Sequence, residues 1–270
     1  MNDNRQEWPV DAHVHFHDAV RVAPTLDAAA LNFKAAGRRI DGLLGVLLLT
    51  QARAERVFET LQDSPRAGDW SVGPASAEAE TLIARRGSEC IAVVCGRQLR
   101  TAEGLEVLAL GTLERFPDGL PLADAITSVR DSGAIAVLPW GFGKWLGARG
   151  RKVENAFSGI APAGLFAGDN GGRVEALPLP RLIRAAAARG FRVLPGSDPF
   201  PFAADHRRVG AFGFMALTEL PISAPWRALR SWLLGSTGSP LPYGRGCNPL
   251  RFAFNQVGIQ LYRRLQRGAA

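Results

Sequence analysis

Cysteine, histidine and long apolar segments are all scarce in this 270-residue chain. Its three cysteines, Cys90, Cys95 and Cys247, are an odd number and lack metal-ligand spacing. They therefore exclude a disulfide-stabilised scaffold and a zinc knuckle. The longest apolar segment, residues 43–49, is too short to cross a bilayer. Because the first residues show no basic stretch followed by an apolar one, we predict no secretory signal and expect a cytoplasmic protein.

Acidic residues and lysines are missing from the last fifth of the chain. Residues 220–270 contain seven arginines and no Lys, Asp or Glu. The whole chain has 32 basic and 25 acidic residues, so residues 1–219 carry 25 of each sign and no net charge. We therefore divide the chain into a neutral body, residues 1–219, and a basic, largely helical extension, residues 220–270. Such an extension favours an anionic partner such as phosphate, nucleic acid or a membrane surface.

Apolar segments of strand length alternate with amphipathic segments of helix length in the body. We predict strands at residues 8–15, 42–50, 81–84, 90–94, 105–110, 134–138, 164–167 and 191–194. Helices are predicted at 25–37, 51–62, 121–131 and 179–189. The strands between residues 81 and 110 are too close together for intervening helices, which predicts antiparallel pairing there. The pattern as a whole predicts an α/β fold with six or seven βα units in an open or distorted barrel.

The extension contains two predicted helices, residues 225–234 and 249–267. In the second helix Phe254, Val257, Leu261 and Leu265 recur at spacings of three, four and four, so the helix is amphipathic as well as basic. We expect this apolar face to pack on the barrel wall. The alternative is peripheral contact with a membrane or a partner protein through residues 249–267.

Three of the four histidines lie in the segment D-A-H-V-H-F-H-D, residues 11–18, at the end of the first predicted strand. Because side chains alternate across a strand, His13 and His15 point to one face about 6 to 7 Å apart and can bind one ion. Without an ion, they are ordinary core or loop histidines. His17 and Asp18 fall just past the strand, as further ligands, as groups that orient the ligands, or as a solvated turn.

The fourth histidine, His206, lies with Asp198 in the loop that follows the last predicted strand. Barrel enzymes carry their catalytic groups at this end of the strands. A carboxylate at Asp198 can ligate a metal and accept a proton from the bound water. Alternatively, Asp198 caps its own Gly-Ser-Asp-Pro turn.

Together, His13-x-His15 on the first strand and Gly196-Ser197-Asp198 after a late strand resemble the polymerase and histidinol phosphatase (PHP) superfamily of metal-dependent phosphoesterases. The resemblance spans about residues 9–215. The broader amidohydrolase group is similar to the PHP superfamily. It implies a distorted TIM-like (β/α)7 barrel with a C-terminal helical extension. It also implies two or three metal ions at the strand ends that hydrolyse phosphate esters. His13 and His15 match the first motif and Asp198 matches the Gly-Ser-Asp-Ala-His motif, which implies that all three bind metal.

Several family ligands have no match in this chain. Gln98 stands where the family has the glutamate of Gly-x-Glu, and Leu138 stands where it has the histidine of Ala-His-Pro. The histidine of the last motif falls on Pro199 or Phe200, so His206 replaces it only if the loop folds back. The Asp-His pair of the second motif has no counterpart near residues 50–51. Glu106 lies on a strand that resembles the one after the family's metal-binding glutamate.

The surviving ligands, His13, His15 and Asp198, fit one divalent ion, or two at most. His206, His17, Asp18 and Asp169 are candidates for further ligands. Mixed imidazole and carboxylate ligands suit zinc, manganese and iron alike.

We therefore expect a metal-dependent, phosphoesterase-like hydrolase that acts on a small anionic substrate, such as a phosphorylated one. Asp198 and His206 are the candidate catalytic residues. Four basic residues in loops after predicted strands are candidates for substrate binding: Lys144, Arg173, Arg207 and Arg208.

Two other functions remain open. The first is a catalytically degenerate barrel that acts as a binding or scaffold protein through its basic C-terminal segment. The second is nucleic-acid processing, which family relatives and the seven arginines favour, although the chain has no recognisable nucleic-acid-binding module.

Overall fold

A computed structural model of the chain describes residues 6–17, 21–37, 41–202 and 204–268. The strands are β1 (Gln6–Val14), β2 (Gly42–Leu49), β3 (Arg66–Ala67), β4 (Trp70–Pro74), β5 (Thr81–Arg86), β6 (Glu89–Val94), β7 (Gly96–Arg100), β8 (Glu106–Leu110), β9 (Ile135–Pro139), β10 (Leu165–Asn170), β11 (Val193–Gly196), β12 (Phe212–Thr218) and β13 (Leu241–Gly244). The α-helices are α1 (Val22–Gly37), α2 (Val57–Asp63), α3 (Leu122–Asp131), α4 (Gly147–Gly159), α5 (Arg181–Ala188), α6 (Pro225–Gly235) and α7 (Pro249–Gly268). A short 3₁₀ helix, Asp205–Arg208, precedes β12.

The strands form two mixed sheets. One sheet has the order β13-β12-β1-β2-β6-β5-β4-β3, and the other has the order β11-β10-β9-β8-β7. Parallel pairs join β1 to β2, β2 to β6, β9 to β10 and β10 to β11. The pairs β5–β6 and β7–β8 are antiparallel, which confirms the pairing predicted between residues 81 and 110.

The predicted TIM-like barrel is wrong, because the two sheets do not join into a closed ring within the described part of the chain. The reason lies in β12, which runs antiparallel to β1 along residues 6–10 and takes the edge that a closing strand would need. As a result the segment that follows β11 contacts β1 only after residue 10, where the Asp198 N–H donates a hydrogen bond to the His13 carbonyl at 2.8 Å. At the other seam, a single parallel bridge joins Gln51 to Arg97.

Apolar side chains fill three layers on and between the sheets. The inner layer lies between the sheets and includes Val10, Val46, Leu108, Val137 and Phe166. A second layer packs α1 and α2 on the eight-stranded sheet, and a third packs α3, α4 and α5 on the five-stranded sheet. The inner layer is apolar, so it leaves no room for polar side chains. Polar side chains that meet between the two sheets therefore lie at the edge of this layer, beyond the ends of the strands.

Helix α6 contributes to the same inner layer, because Trp226, Leu229 and Leu233 on one of its faces are buried there. Strand β13 extends the eight-stranded sheet by pairing with β12. The boundary at residue 220 rests on the change in charge and stays a prediction.

Helix α7 does not pack in the predicted way. Its buried residue is Asn255, whereas Phe254 is 71% exposed and Val257 is 62% exposed. The expectation that this apolar face covers the barrel wall is therefore wrong, and Leu265 lies outside the side chains that the structure describes. Among the described helices, none is both long and apolar enough to cross a membrane.

Candidate metal centre

Four strands bring their carboxyl ends to one place, where the two sheets meet. His13 is near the end of β1, and His15 and His17 follow directly. Glu55 lies in the loop after β2, Asn170 is the last residue of β10, and Asp198 follows β11. In sheets with parallel strands, this edge is where ligands bind.

Three potential metal ligands converge at this edge. His13 Nε2 lies 3.2 Å from His15 Nε2, and Asp198 Oδ1 lies 3.6 and 3.8 Å from these two nitrogens. Three ligands bound at about 2.1 Å in a tetrahedral arrangement lie about 3.4 Å from one another. The observed separations therefore fit a single small divalent ion, with one corner of the tetrahedron left for water or substrate.

Backbone contacts hold Asp198 beside the two histidines. A Cβ on Gly196 would lie 2.4 Å from the His13 nitrogen, so only glycine allows β11 to approach β1 this closely. Asp198 has φ of +43°, in the left-handed region that Asp and Asn enter more easily than most residues. Such a conformation persists where the surrounding structure enforces it, as the hydrogen bond to the His13 carbonyl does here.

Asp11 joins the same strands from below the site. Its buried carboxylate accepts the N–H groups of Ser197 at 2.8 Å and Gly210 at 2.9 Å. Burial raises the pKa of Asp11 to about 6, and the hydrogen bonds to Ser197, Gly210 and His13 oppose that rise. Asp11 therefore fixes the backbone beside Asp198 and belongs to neither cluster of metal-ligating groups among the described residues.

Glu55 forms a second cluster with His15 and His17. Its Oε2 lies 3.4 Å from His15 Nδ1, and its Oε1 lies 3.1 Å from His17 Nδ1. Ala52 N–H also donates to Oε2 at 2.8 Å, and His17 Nε2 donates to the Pro199 carbonyl at 2.7 Å. Because His15 turns one nitrogen to each cluster, the arrangement matches a metal-bound histidine oriented by a carboxylate on its other nitrogen.

The protonation states follow from burial and charge. Burial lowers the pKa of His13, and the charge of Asp198 offsets this only in part, so the neutral form that binds metals is favoured. Burial also lowers the pKa of His15, but the hydrogen bond and charge of Glu55 outweigh it and the pKa is raised. For Asp198 and Glu55, burial raises the pKa, but the neighbouring histidines outweigh it and hold both carboxylates ionised.

Polar side chains surround the outer side of Asp198. The Asn170 amide donates to Asp198 Oδ2, the oxygen that faces away from the histidines. Lys144 forms an ion pair with Glu106 and shares with Asp198 and Asn170 the wall of a cavity of about 250 Å³. Residues of α7, including Gln256 and Gln260, line the cavity from the other side. The cavity therefore lies between Asp198 and the C-terminal helix.

The other predicted site residues lie in different surroundings. His206 is on the 3₁₀ helix and belongs to neither cluster of described metal-ligating groups. Arg173 makes a two-pronged ion pair with Asp169, at 2.9 and 3.1 Å. The Arg208 guanidinium donates to the Gly171 carbonyl, and Arg207 is exposed. Asp18 lies outside the described residues.

Sequence reasoning missed Glu55 and Asn170. Glu55 was placed inside a helix predicted from residue 51, whereas α2 begins at Val57 and leaves Glu55 in the loop. Asn170 follows the predicted end of a strand by three residues. Its position at a carboxyl strand end was the one available signal, because an amide suggests neither metal binding nor acid–base chemistry.

Comparison with known proteins gives similarity of fold and little in sequence. No family model matches the chain, and no curated protein matches it. The structure is similar to PsfC from Pseudomonas syringae PB-5123, with a TM-score of 0.56 and 17% identity over 97% of this chain and 99% of that one. It is also similar to the lesion-specific endonuclease PfuEndoQ from Pyrococcus furiosus, with a TM-score of 0.51 and 13% identity.

The second match covers 84% of this chain but only 55% of PfuEndoQ. At these identities the similarities concern the fold alone. The chain thus shares its overall fold with these two proteins, and it has side-chain clusters able to hold a metal ion.

Proposed function

We propose that this protein is a metal-dependent hydrolase of the phosphoesterase-like kind, with one divalent ion held by His13, His15 and Asp198. The observation that carries the proposal is the meeting of two imidazole nitrogens and one carboxylate oxygen within 3.8 Å of one another. Without an ion, only a shared proton would hold the buried Nε2 atoms of His13 and His15 next to each other and next to the ionised carboxylate of Asp198. The endonuclease activity named for PfuEndoQ supports hydrolysis as the reaction class.

His13, His15 and Asp198 would hold the ion, which would supply a water of lowered pKa and a positive charge to polarise an ester oxygen. Zinc, manganese and iron all suit the ligands. Since His15 Nδ1 is directed to Glu55, a second ion would have to compete for the same imidazole, and we propose a single ion. The lowered pKa of Asp198 makes it a better ligand than proton acceptor.

The remaining groups position an anionic substrate. The Lys144 ammonium lies on the wall of the cavity that Asp198 also lines, so it is placed to attract a phosphate or carboxylate. Asn170 keeps Asp198 Oδ2 turned away from the ligand cluster. Arg173 and Arg208 make contacts within the fold that already engage their guanidinium groups, and we assign them to positioning of the surrounding loops.

Metal analysis of the purified protein tests this proposal. We expect about one ion per chain after loading with zinc, manganese or ferrous iron. His13→Ala and Asp198→Asn should lose the ion, and asparagine keeps the left-handed backbone accessible. His206→Ala serves as the matched control and should retain the ion. A parent chain that binds no metal under any loading condition would refute the proposal, and turnover of aryl phosphate esters only by the loaded protein would support it.

We propose a second candidate function, peripheral binding to an anionic membrane surface through α7. Its outward face carries Leu250, Phe254, Val257 and Leu261, which are 85, 71, 62 and 54% exposed. These residues are spaced four, three and four apart and so form one stripe. Residues 220–270 carry seven arginines and no acidic residue, which complements anionic lipid headgroups.

Co-sedimentation with vesicles tests the second candidate. The parent should bind vesicles that contain phosphatidylserine and leave vesicles of phosphatidylcholine alone. Phe254→Ser with Leu250→Ser should abolish binding, whereas Leu31→Ser, a change at another exposed leucine, should not. Equal binding by the double variant, or self-association through the stripe in place of lipid binding, would contradict the membrane role.

A further inference from the structure

A second cleft, separate from the three metal ligands, is lined by four arginines. It has a volume of about 670 Å³ and lies where the loop after β2 meets β7 and the loop after β8. Arg53 and Arg56 come from the first loop, Arg97 from β7 and Arg115 from the last loop. The volume is within the range of small-molecule sites, roughly 300 to 1,000 Å³.

The arrangement of two of these arginines is fixed. Glu59 Oε1 accepts from Arg97 Nη2 and from Arg115 Nη2, both at 2.6 Å. Arg97 also donates to the Leu113 and Glu114 carbonyls, each at 3.3 Å, and its side chain is only 8% exposed. A guanidinium held in this way loses little conformational freedom when an anion binds.

The local charge does not cancel. Against the four arginines stand two carboxylates, Glu59 at the shared contact and Asp118, which accepts the Arg100 N–H. Counting the residues that line the cleft together with Glu59, four positive and two negative groups leave two positive charges. In addition, Arg97 Nη1 and Glu59 Oε2 at the same contact are both buried and have no hydrogen-bond partner among the described residues. Buried donors of this kind are rare in folded proteins and call for an explanation.

We propose that this cleft binds the phosphate group of a small phosphorylated molecule. Arginine forks match phosphate oxygens in pairs, and two uncompensated positive charges balance a dianion. The exposed Arg53 and Arg56 are free to close over the ligand from the loop, while Arg97 and Arg115 form a fixed wall. The proposal concerns this cleft alone and does not depend on metal at His13, His15 and Asp198.

A nucleic-acid strand fits the cleft less well. Binding of single strands uses an extended basic groove with several aromatic platforms, and Phe116 is the one aromatic residue that lines this cleft. Residues 1–219 carry equal numbers of basic and acidic residues, so the positive charge here is local. We therefore favour a compact ligand.

Calorimetry with inorganic pyrophosphate, on the full chain treated with a chelator, tests the proposal. We expect binding with a dissociation constant below about 1 mM that weakens as salt is added. Arg53→Ala combined with Arg56→Ala should weaken binding at least tenfold, and adding Arg115→Ala should remove it. All three side chains are exposed, so the variants should fold.

The matched control is Arg66→Ala combined with Arg181→Ala, which removes two exposed arginines that do not line the cleft. It should bind pyrophosphate as the parent does, and so should His13→Ala. No binding at about 10 mM pyrophosphate, or equal losses in the cleft and control variants, would overturn the proposal. Displacement of pyrophosphate by micromolar single-stranded DNA would overturn the choice of a small ligand.

Discussion

The candidate metal centre and the outer face of α7 differ in how their side chains are fixed. At the metal centre, residues from four distant segments meet through backbone contacts, and each polar side chain has a defined partner. On α7, apolar residues close in sequence form a stripe that none of the described residues covers. The difference teaches that the fold fixes the positions of the three candidate ligands through contacts between distant segments, while the apolar stripe on α7 has no such contacts among the described residues.

Gly196→Ala should have the largest effect on this comparison. The added methyl group would overlap the His13 backbone, so β11 must move away from β1 and carry Asp198 with it. We expect the free energy of unfolding to fall by about 3 kcal/mol or more and metal binding to be lost. Denaturant unfolding and metal analysis measure both. Gly159→Ala, where no atom lies within 4 Å of the new Cβ, is the control and should behave as the parent.

Asp169→Asn should separate stability from metal binding. Asp169, which directly precedes Asn170, forms a buried ion pair with Arg173. Their side chains are 6% and 14% exposed, respectively. Leaving Arg173 without its charge partner should lower the free energy of unfolding by about 3 kcal/mol with metal affinity retained. Glu154→Gln breaks the exposed pair with Arg181 and should cost less than about 1 kcal/mol. Loss of metal in Asp169→Asn would mean that the pair belongs to the centre.

Glu55→Gln should weaken metal binding without removing it. Glutamine keeps the size of the side chain but loses the charge that orients His15 through Nδ1. Partners of this kind affect metal affinity by about 10- to 100-fold. Competition with a chelating dye measures the change, and Glu175→Gln, an exposed carboxylate elsewhere, is the control. A larger loss would indicate that Glu55 binds the ion directly.

Phe254→Ser should have the smallest effect. The side chain is 71% exposed, so its replacement should change the free energy of unfolding by less than about 0.5 kcal/mol. Phe252 lies two residues earlier, on another face of α7. Phe252→Ser removes its edge-to-face contact with Phe142, whose ring centre lies 4.9 Å away, and should lower the free energy of unfolding by more. If both changes cost the same, the outward orientation of the stripe is wrong.

The same contrast explains what the sequence could predict. Periodicity within one segment located α7, α3 and most of the buried strands, because those patterns are local. It missed α4, a helix with a polar sequence in a glycine-containing stretch, and it missed β12, whose position beside β1 depends on residues 200 positions away. That missed strand is also why the barrel prediction failed.

For the candidate site, His13, His15 and Asp198 were predicted to meet, and they do lie together. Alternation along the first strand accounts for the histidine pair, whereas Asp198 was predicted from its position in the loop after a late strand and from the family resemblance. The arginine cleft was not predicted, since its members are separated by up to 62 positions and come from three segments. No periodic pattern links such residues.

The close approach of β11 to β1 has a consequence for ion selectivity. The main chains of the two strands are in direct contact at Gly196, which has no side chain that could rearrange. The distance between the strands is therefore fixed there. A calcium ion needs six to eight oxygen ligands, whereas two of the three groups that meet beside this contact are imidazoles. With the three groups held in place, ligand chemistry should therefore favour transition metals over calcium at this candidate site.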